Sequence, residues 1–244
     1  MDLGLAERVY VLTGATQGLG FATAECLVAD GARVVVSSRD AGRVEAAVAR
    51  LGGPARAHGI TADLADKDTP PRLVEAAREA FGRIDGALLS TGGPPRTTAA
   101  AATDEQWRAS FENVFLGAVR AIRLIGGALG PGGAIAVVLS SSARTPIPGL
   151  ALSNGLRPGL AAAAKDMADE LGPRGVRVVG LMPGRFRTAR MSSLDDSGHA
   201  TDIPLQRIGD PAEFGRVAAF VLSPAASYVT GTSIAVDGGL IRST

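Results

Sequence analysis

Gly14, Gly18 and Gly20 stand in a stretch, Thr13-Gly14-Ala15-Thr16-Gln17-Gly18-Leu19-Gly20, whose residue types and spacing can hold a phosphate. The apolar run Val9–Leu12 before it is too short for a helix and rich in strand formers. An amphipathic helical pattern follows Gly18. Strand, glycine turn and helix in that order are the layout of a dinucleotide site. Gly14 permits the tight turn. Gly18 removes a Cβ where backbone N–H groups would approach a pyrophosphate, and Gly20 lets the helix pack close to the strand. The helix N-terminus then offers unpaired donors and a positive dipole end to the phosphates. A glycine-rich turn with no ligand has the same composition. The following residues favour the dinucleotide: Gly31-Ala32-Arg33 ends the helix, and Val34-Val35-Val36 makes a second buried strand.

A sheet must stand behind this turn, and the rest of the chain supplies one. Apolar runs alternate with helical runs throughout, which predicts a doubly wound parallel sheet with helices on both faces. Helices are expected over roughly 43–51, from Pro70-Pro71 to Phe81-Gly82, from Thr103 to about Leu129, over roughly 158–171, and from Pro211. Strands are expected at Ala57–Thr61, Gly86–Leu89, Ala134–Leu139, Val176–Leu181 and Ile234–Val236, making seven in all. Thr103 with Gln106 matches a capping box, and Asp210-Pro211-Ala212-Glu213 is a strong helix start. Trp107, Phe111 and Phe115 form a stripe on the long helix, which reads as core or subunit interface. Residues 185–205 show no pattern.

The composition narrows the function. The chain has 244 residues, a formal net charge of +1 from 25 basic and 24 acidic residues, and one cysteine. One large α/β domain over 1–244 fits that length. A balanced charge offers nothing to nucleic acid or a membrane surface. Cys26 has no disulfide partner and reads as core. No apolar run approaches membrane-spanning length and no leader pattern opens the chain, so a cytoplasmic protein is expected.

Taken together, Thr13–Gly20, Asp63-Leu64, Asn113, Ser140, Pro183-Gly184 with Thr188, Tyr228-Val229-Thr230-Gly231 and Asp237-Gly238-Gly239 resemble the short-chain dehydrogenases/reductases over essentially the whole chain. The members most similar by these features are the 3-oxoacyl-carrier-protein-reductase-like ones. The resemblance implies a single-domain NAD(P)-binding Rossmann fold, a homotetramer, and reduction of a carbonyl or oxidation of an alcohol in a small-molecule substrate. It implies cofactor contacts from Thr13, Gly14, Thr16, Gln17, Gly18, Leu19 and Gly20, from Asp63 and Leu64 at the adenine, and from Gly92, Pro183 and Gly184. Thr188 is then expected near the nicotinamide carboxamide, and 185–205 forms a substrate lid. No metal is implied. NAD binders place a carboxylate at the end of the second strand, for the ribose hydroxyls. Here Ser37-Ser38-Arg39 occupies that place, so Ser38 and Arg39 favour the 2′-phosphate of NADP(H), with NAD(H) the alternative.

The family's catalytic unit is Asn, Ser, Tyr and Lys. Asn113 and Ser140 hold the usual separation. The tyrosine belongs at position 153 and the lysine one helical turn on, where this chain has Ser153 and Arg157. The fourth-strand loop departs too: Leu89-Ser90-Thr91-Gly92 replaces Asn-Asn-Ala-Gly. A phenol near pKa 10 can be lowered into a working range, an aliphatic hydroxyl starts far higher, and an arginine stays protonated. Pro158 disfavours helical geometry at Arg157, so Arg157 is expected in a cap or loop. Tyr10 and Tyr228 read as structural, His58 as packed in the third strand, and His199 as a loop residue.

Three readings stay open. The first is an NADP(H)-dependent oxidoreductase with an altered proton donor, such as Ser140, Ser153 or a water. The second is a cofactor-binding protein without redox catalysis, a sensor or structural subunit. The third, a non-redox enzyme on this fold, is disfavoured by the intact glycines.

Overall fold

β1 (Val9–Thr13) lies at the centre of the molecule, and its five residues are all buried. The computed structural model describes residues 2–189 and 200–243. Seven strands form one sheet: β1, β2 (Arg33–Ser38), β3 (Ala57–Thr61), β4 (Gly86–Leu89), β5 (Ala134–Val138), β6 (Arg177–Pro183) and β7 (Ser233–Val236). Their spatial order is β3-β2-β1-β4-β5-β6-β7 and every pairing is parallel. The order reverses between β1 and β4. That is the switch point at which open α/β sheets bind ligands, outside the carboxyl ends of their strands.

Alternation along β1 feeds two cores. Tyr10 and Leu12 face one side, with α1 (Gly18–Ala29) and α7 (Pro211–Leu222), where Phe21, Leu27 and Phe214 are buried. Val9 and Val11 face the other side, with α3 (Thr69–Phe81), α5 (Gly117–Ala128) and α6 (Ala151–Leu171) and the buried Leu73, Ile122, Ile125 and Leu160. Each such side chain contributes about 1.5–3 kcal/mol. α2 (Ala41–Arg50) covers the β2–β3 edge. α1 is apolar almost all round rather than amphipathic, because it is sandwiched between the sheet and α7. No helix among the described residues is long and apolar enough to cross a membrane.

The capping signals at Thr103 and Asp210 operate as read, each with both reciprocal bonds of a capping box. Elsewhere tertiary packing changes the outcome. The long helix is not continuous. α4 (Asp104–Ser110) passes into a π-helical stretch, Phe111–Leu116, before α5. A Cβ on Gly117 would stand 2.5 Å from the Leu64 carbonyl, so the helix is pressed against that loop just beyond the π turn. Such insertions often mark functional positions.

α6 starts at Ala151, not near Pro158, and both Arg157 and Pro158 lie inside it. A proline there removes a backbone bond and costs about 3 kcal/mol. Burial of Leu152 and Leu160 offsets that cost, and the buried Ser153 and Arg157 on the same face are hydrogen-bonded to other elements. The Asn154 amide also grips the Ile147 N–H and carbonyl, each at 2.9 Å. Trp107 packs against Gly155 and Phe115 against Gly159, so most of the aromatic stripe serves α4–α6 packing, while Phe111 stays 43% exposed. His58 is exposed on edge strand β3 instead of packed. Tyr228 is fully exposed instead of structural, and Cys26 is half-buried.

Candidate active site

A cleft of about 780 Å³ lies at the switch point, walled by the loops that leave β1, β2 and β4 and by α4 with its π turn. Thr13, Gly14, Thr16, Gln17, Ser38, Arg39, Leu64, Gly92 and Asn113 all line it. Gly14 has φ +57°, and a Cβ there would meet the Ser90 carbonyl at 2.7 Å, so glycine lets the β1 and β4 loops close on each other. Thr13 is 3% exposed and turns its hydroxyl inward. It donates to the Ser90 carbonyl and accepts from the Ser90 N–H. Thr13 therefore clamps the floor of the cleft rather than presenting a hydroxyl to a ligand.

At the N-terminus of α1, the Gln17 side chain makes no cap, and no acidic residue occupies the first turn. The exposed donors and dipole of that turn suit an anion. Gly18, at φ +58°, faces the Thr188 side chain, so the glycine turn and the segment after β6 meet. Leu19 is half-buried, and Gly20 is buried against the Gly14 carbonyl.

The β2 end is basic. Arg39 is exposed beside the cleft, 3.9 Å from the Asp63 carboxylate. Asp40 also lines the cleft, but its carboxylate accepts from the Arg43 N–H at 3.0 Å and lies 3.4 Å from Arg43 Nε. Its charge is thus committed to the α2 cap. Ser37 is 2% exposed with its hydroxyl turned to the Leu12 carbonyl, while the half-buried Ser38 hydroxyl lies 3.3 Å from the Asp40 carbonyl and 3.4 Å from the Asp40 N–H. Asp63 is not on the cleft wall. Its side chain accepts from the Ala65 N–H, and its carbonyl accepts from the Thr69 hydroxyl.

Of the four expected catalytic residues, Asn113 alone lines the cleft, within the π turn. Its amide donates to the Ala109 carbonyl at 2.9 Å, leaving the amide oxygen available. Ser140 is partly exposed at the end of β5, and its Oγ accepts from the Ser142 N–H. Ser153 is 5% exposed, with its hydroxyl 2.9 Å from that of Ser142. Arg157 is 4% exposed; Nη1 donates to the Val138 carbonyl at 2.6 Å and Nη2 to Thr91 Oγ1 at 3.0 Å. The expectation of an arginine in a cap or loop gives way to a cation buried between β5 and the β4 loop.

Pro183 ends β6, and Gly184 lies tight against Asp237; neither is on the cleft wall. His199 and residues 190–199 of the expected lid lie outside the described residues. Sequence reasoning missed Arg43, Thr91 and Ser142. The Arg39/Arg43 spacing across the start of α2 was the available signal for the first. Nothing local pointed to the other two.

The chain is similar to known proteins over nearly its whole length. A family model described as enoyl-(acyl carrier protein) reductase matches residues 14–241. An uncharacterized oxidoreductase of Methylorubrum extorquens is 34% identical, over 97% of this chain and 98% of its own. A crystal structure of a short-chain dehydrogenase/reductase from Brucella melitensis superposes with a TM-score of 0.94 at 32% identity, covering 100% of both chains. An NADPH-bound short chain oxidoreductase from Pseudomonas aeruginosa, described as containing an atypical catalytic center, has a TM-score of 0.91 at 30% identity over 99% of each chain.

Proposed function

The chain belongs to the short-chain dehydrogenase/reductase family, and we propose that it is an NADP(H)-dependent oxidoreductase of carbonyl or alcohol substrates with an altered proton donor. The observation that carries this is the β2 end of the cleft, where Ser38, Arg39 and Arg43 stand together while Asp40 is held by the α2 cap. Two guanidiniums and a hydroxyl suit a 2′-phosphate, and the open first turn of α1 suits a pyrophosphate. The NADPH in the Pseudomonas relative supports the same choice. When bound, a reduced nicotinamide supplies hydride.

The chain's own part is to orient the substrate oxygen and to give it a proton. Ser153 and Arg157 stand where the family has tyrosine and lysine. Both are buried, and each is hydrogen-bonded within the protein. Neither serine lines the cleft, and Ser140, partly exposed, is the more accessible hydroxyl. Its oxygen accepts from the Ser142 N–H, so its proton is available to donate. Asn113 offers its amide oxygen to a water or substrate in the cleft.

The burial of Ser153 and Arg157 also favours a second reading: a protein that binds the cofactor without redox turnover. Titration with NADPH and NADH, followed by turnover on a panel of carbonyls and alcohols, separates the two. NADPH binding with turnover supports the enzyme, and binding without turnover on any member supports the second reading. No binding of either nucleotide sinks both.

A further inference from the structure

The loop Ser90-Thr91-Gly92-Gly93 forms the β4 wall of the cleft, and one of its side chains is tied to the buried guanidinium behind it. Thr91 lines the cleft, whereas Arg157 is 4% exposed and holds both the Thr91 hydroxyl and the Val138 carbonyl. A hydroxyl has two acceptor lone pairs and one proton. Arg157 takes a lone pair, so the proton remains to donate, and among the described residues no acceptor meets it. The charge behind the oxygen makes that O–H a stronger donor.

The cleft has a direction. Its adenosine end is marked by Arg39 and Arg43 at β2, and its phosphate region by Gly14 and the start of α1. Thr91 follows β4, on the flank of β1 opposite β2, and it lines the same cleft as Asn113. We propose that Thr91 donates a hydrogen bond to the ribose on the nicotinamide half of a bound dinucleotide, with Arg157 as a positioning residue acting through it. The inference rests on the NADP(H) reading above. On this account the buried cation reaches the cofactor through one intervening side chain, and Thr91 and Arg157 form one unit.

Calorimetric titration of three probes tests it. NADPH and 2′-phospho-ADP-ribose both carry the second ribose, and 2′,5′-ADP lacks it. Thr91→Val removes the hydroxyl at nearly constant volume. It is expected to weaken the first two about three- to tenfold, the size of one neutral hydrogen bond, and to leave 2′,5′-ADP unchanged. Thr91→Ser is expected to restore both. Thr91→Ala, measured alongside, covers the case in which valine disturbs the loop. Equal weakening of all three probes, no weakening at all, or a serine variant no better than valine overturns the donor role. Failure of the unaltered chain to bind NADPH sinks the functional reading beneath it.

Discussion

The Ser153 hydroxyl lies 2.9 Å from the Ser142 hydroxyl in a site where the two residues are 5% and 2% exposed. The pair joins the start of α6 to the turn after β5. Removing either oxygen leaves the other buried without that partner, at a cost of about 1–3 kcal/mol. Ser142→Ala and Ser153→Ala should each lower stability by that order, and the double variant by less than the sum of the two. Urea unfolding of the four chains measures the coupling. Additive losses would show that the two hydroxyls do not depend on each other.

Turnover of simple ketones and aldehydes should be slow, because no tyrosine among the described residues lines the cleft and loss of a general acid costs about 10²–10⁴-fold. Ser140→Ala should abolish what remains. Ser153→Tyr combined with Arg157→Lys should raise the rate if the scaffold accepts the ring. Robust ketone reduction that is indifferent to Ser140→Ala would place the proton donor elsewhere.

Arg39→Asp should exchange cofactor preference from NADPH to NADH. It replaces an exposed guanidinium at the β2 end by a carboxylate, which repels a 2′-phosphate and accepts from a ribose hydroxyl. Losing one charge-assisted contact of about 1.5–3 kcal/mol corresponds to roughly tenfold or more in NADPH affinity. Tighter binding of NADH than NADPH by the unaltered chain refutes the assignment.

Glu213 at the start of α7 should make stability pH-dependent at the acid end. The Arg207 guanidinium, bonded to both of its oxygens, lowers its carboxyl to about 2, helped by the Asp210 N–H. A carboxyl lowered on folding stabilises the fold above its ordinary pKa of about 4.3, and the contribution fades as pH falls toward the folded value. The melting temperatures of the unaltered chain and of Glu213→Gln should therefore differ at pH 7 and converge in acid. The group is exposed, so salt should shrink the difference as well. A gap that is constant with pH would remove the ion pair from the account.

A tetramer that buries the exposed part of the α4–α5 region is expected, since Phe111 and Leu124 present apolar surface there. Light scattering at micromolar concentration checks the mass. An assembly that persists unchanged in Phe111→Glu would show that the contact lies on another face.

What could be read from the sequence was local. The glycine turn, both capping boxes and the seven strands depend on spacings of a few residues, and each formed where the residue types demanded. The site residues on the cleft that were legible, from Gly14 to Arg39, sit on those same short units. Long-range contacts decided the rest. Arg157 is held by partners 19 and 66 residues away, and that buried face carries α6 through Pro158 against the local preference. The π turn at Asn113 forms where Gly117 is pressed against the Leu64 carbonyl, which no pattern within the helix encodes. Thr91 and Ser142 matter through what they touch across the fold. A sequence states which groups are present; only packing determines which hydroxyl is buried with a partner and which is left to meet a ligand.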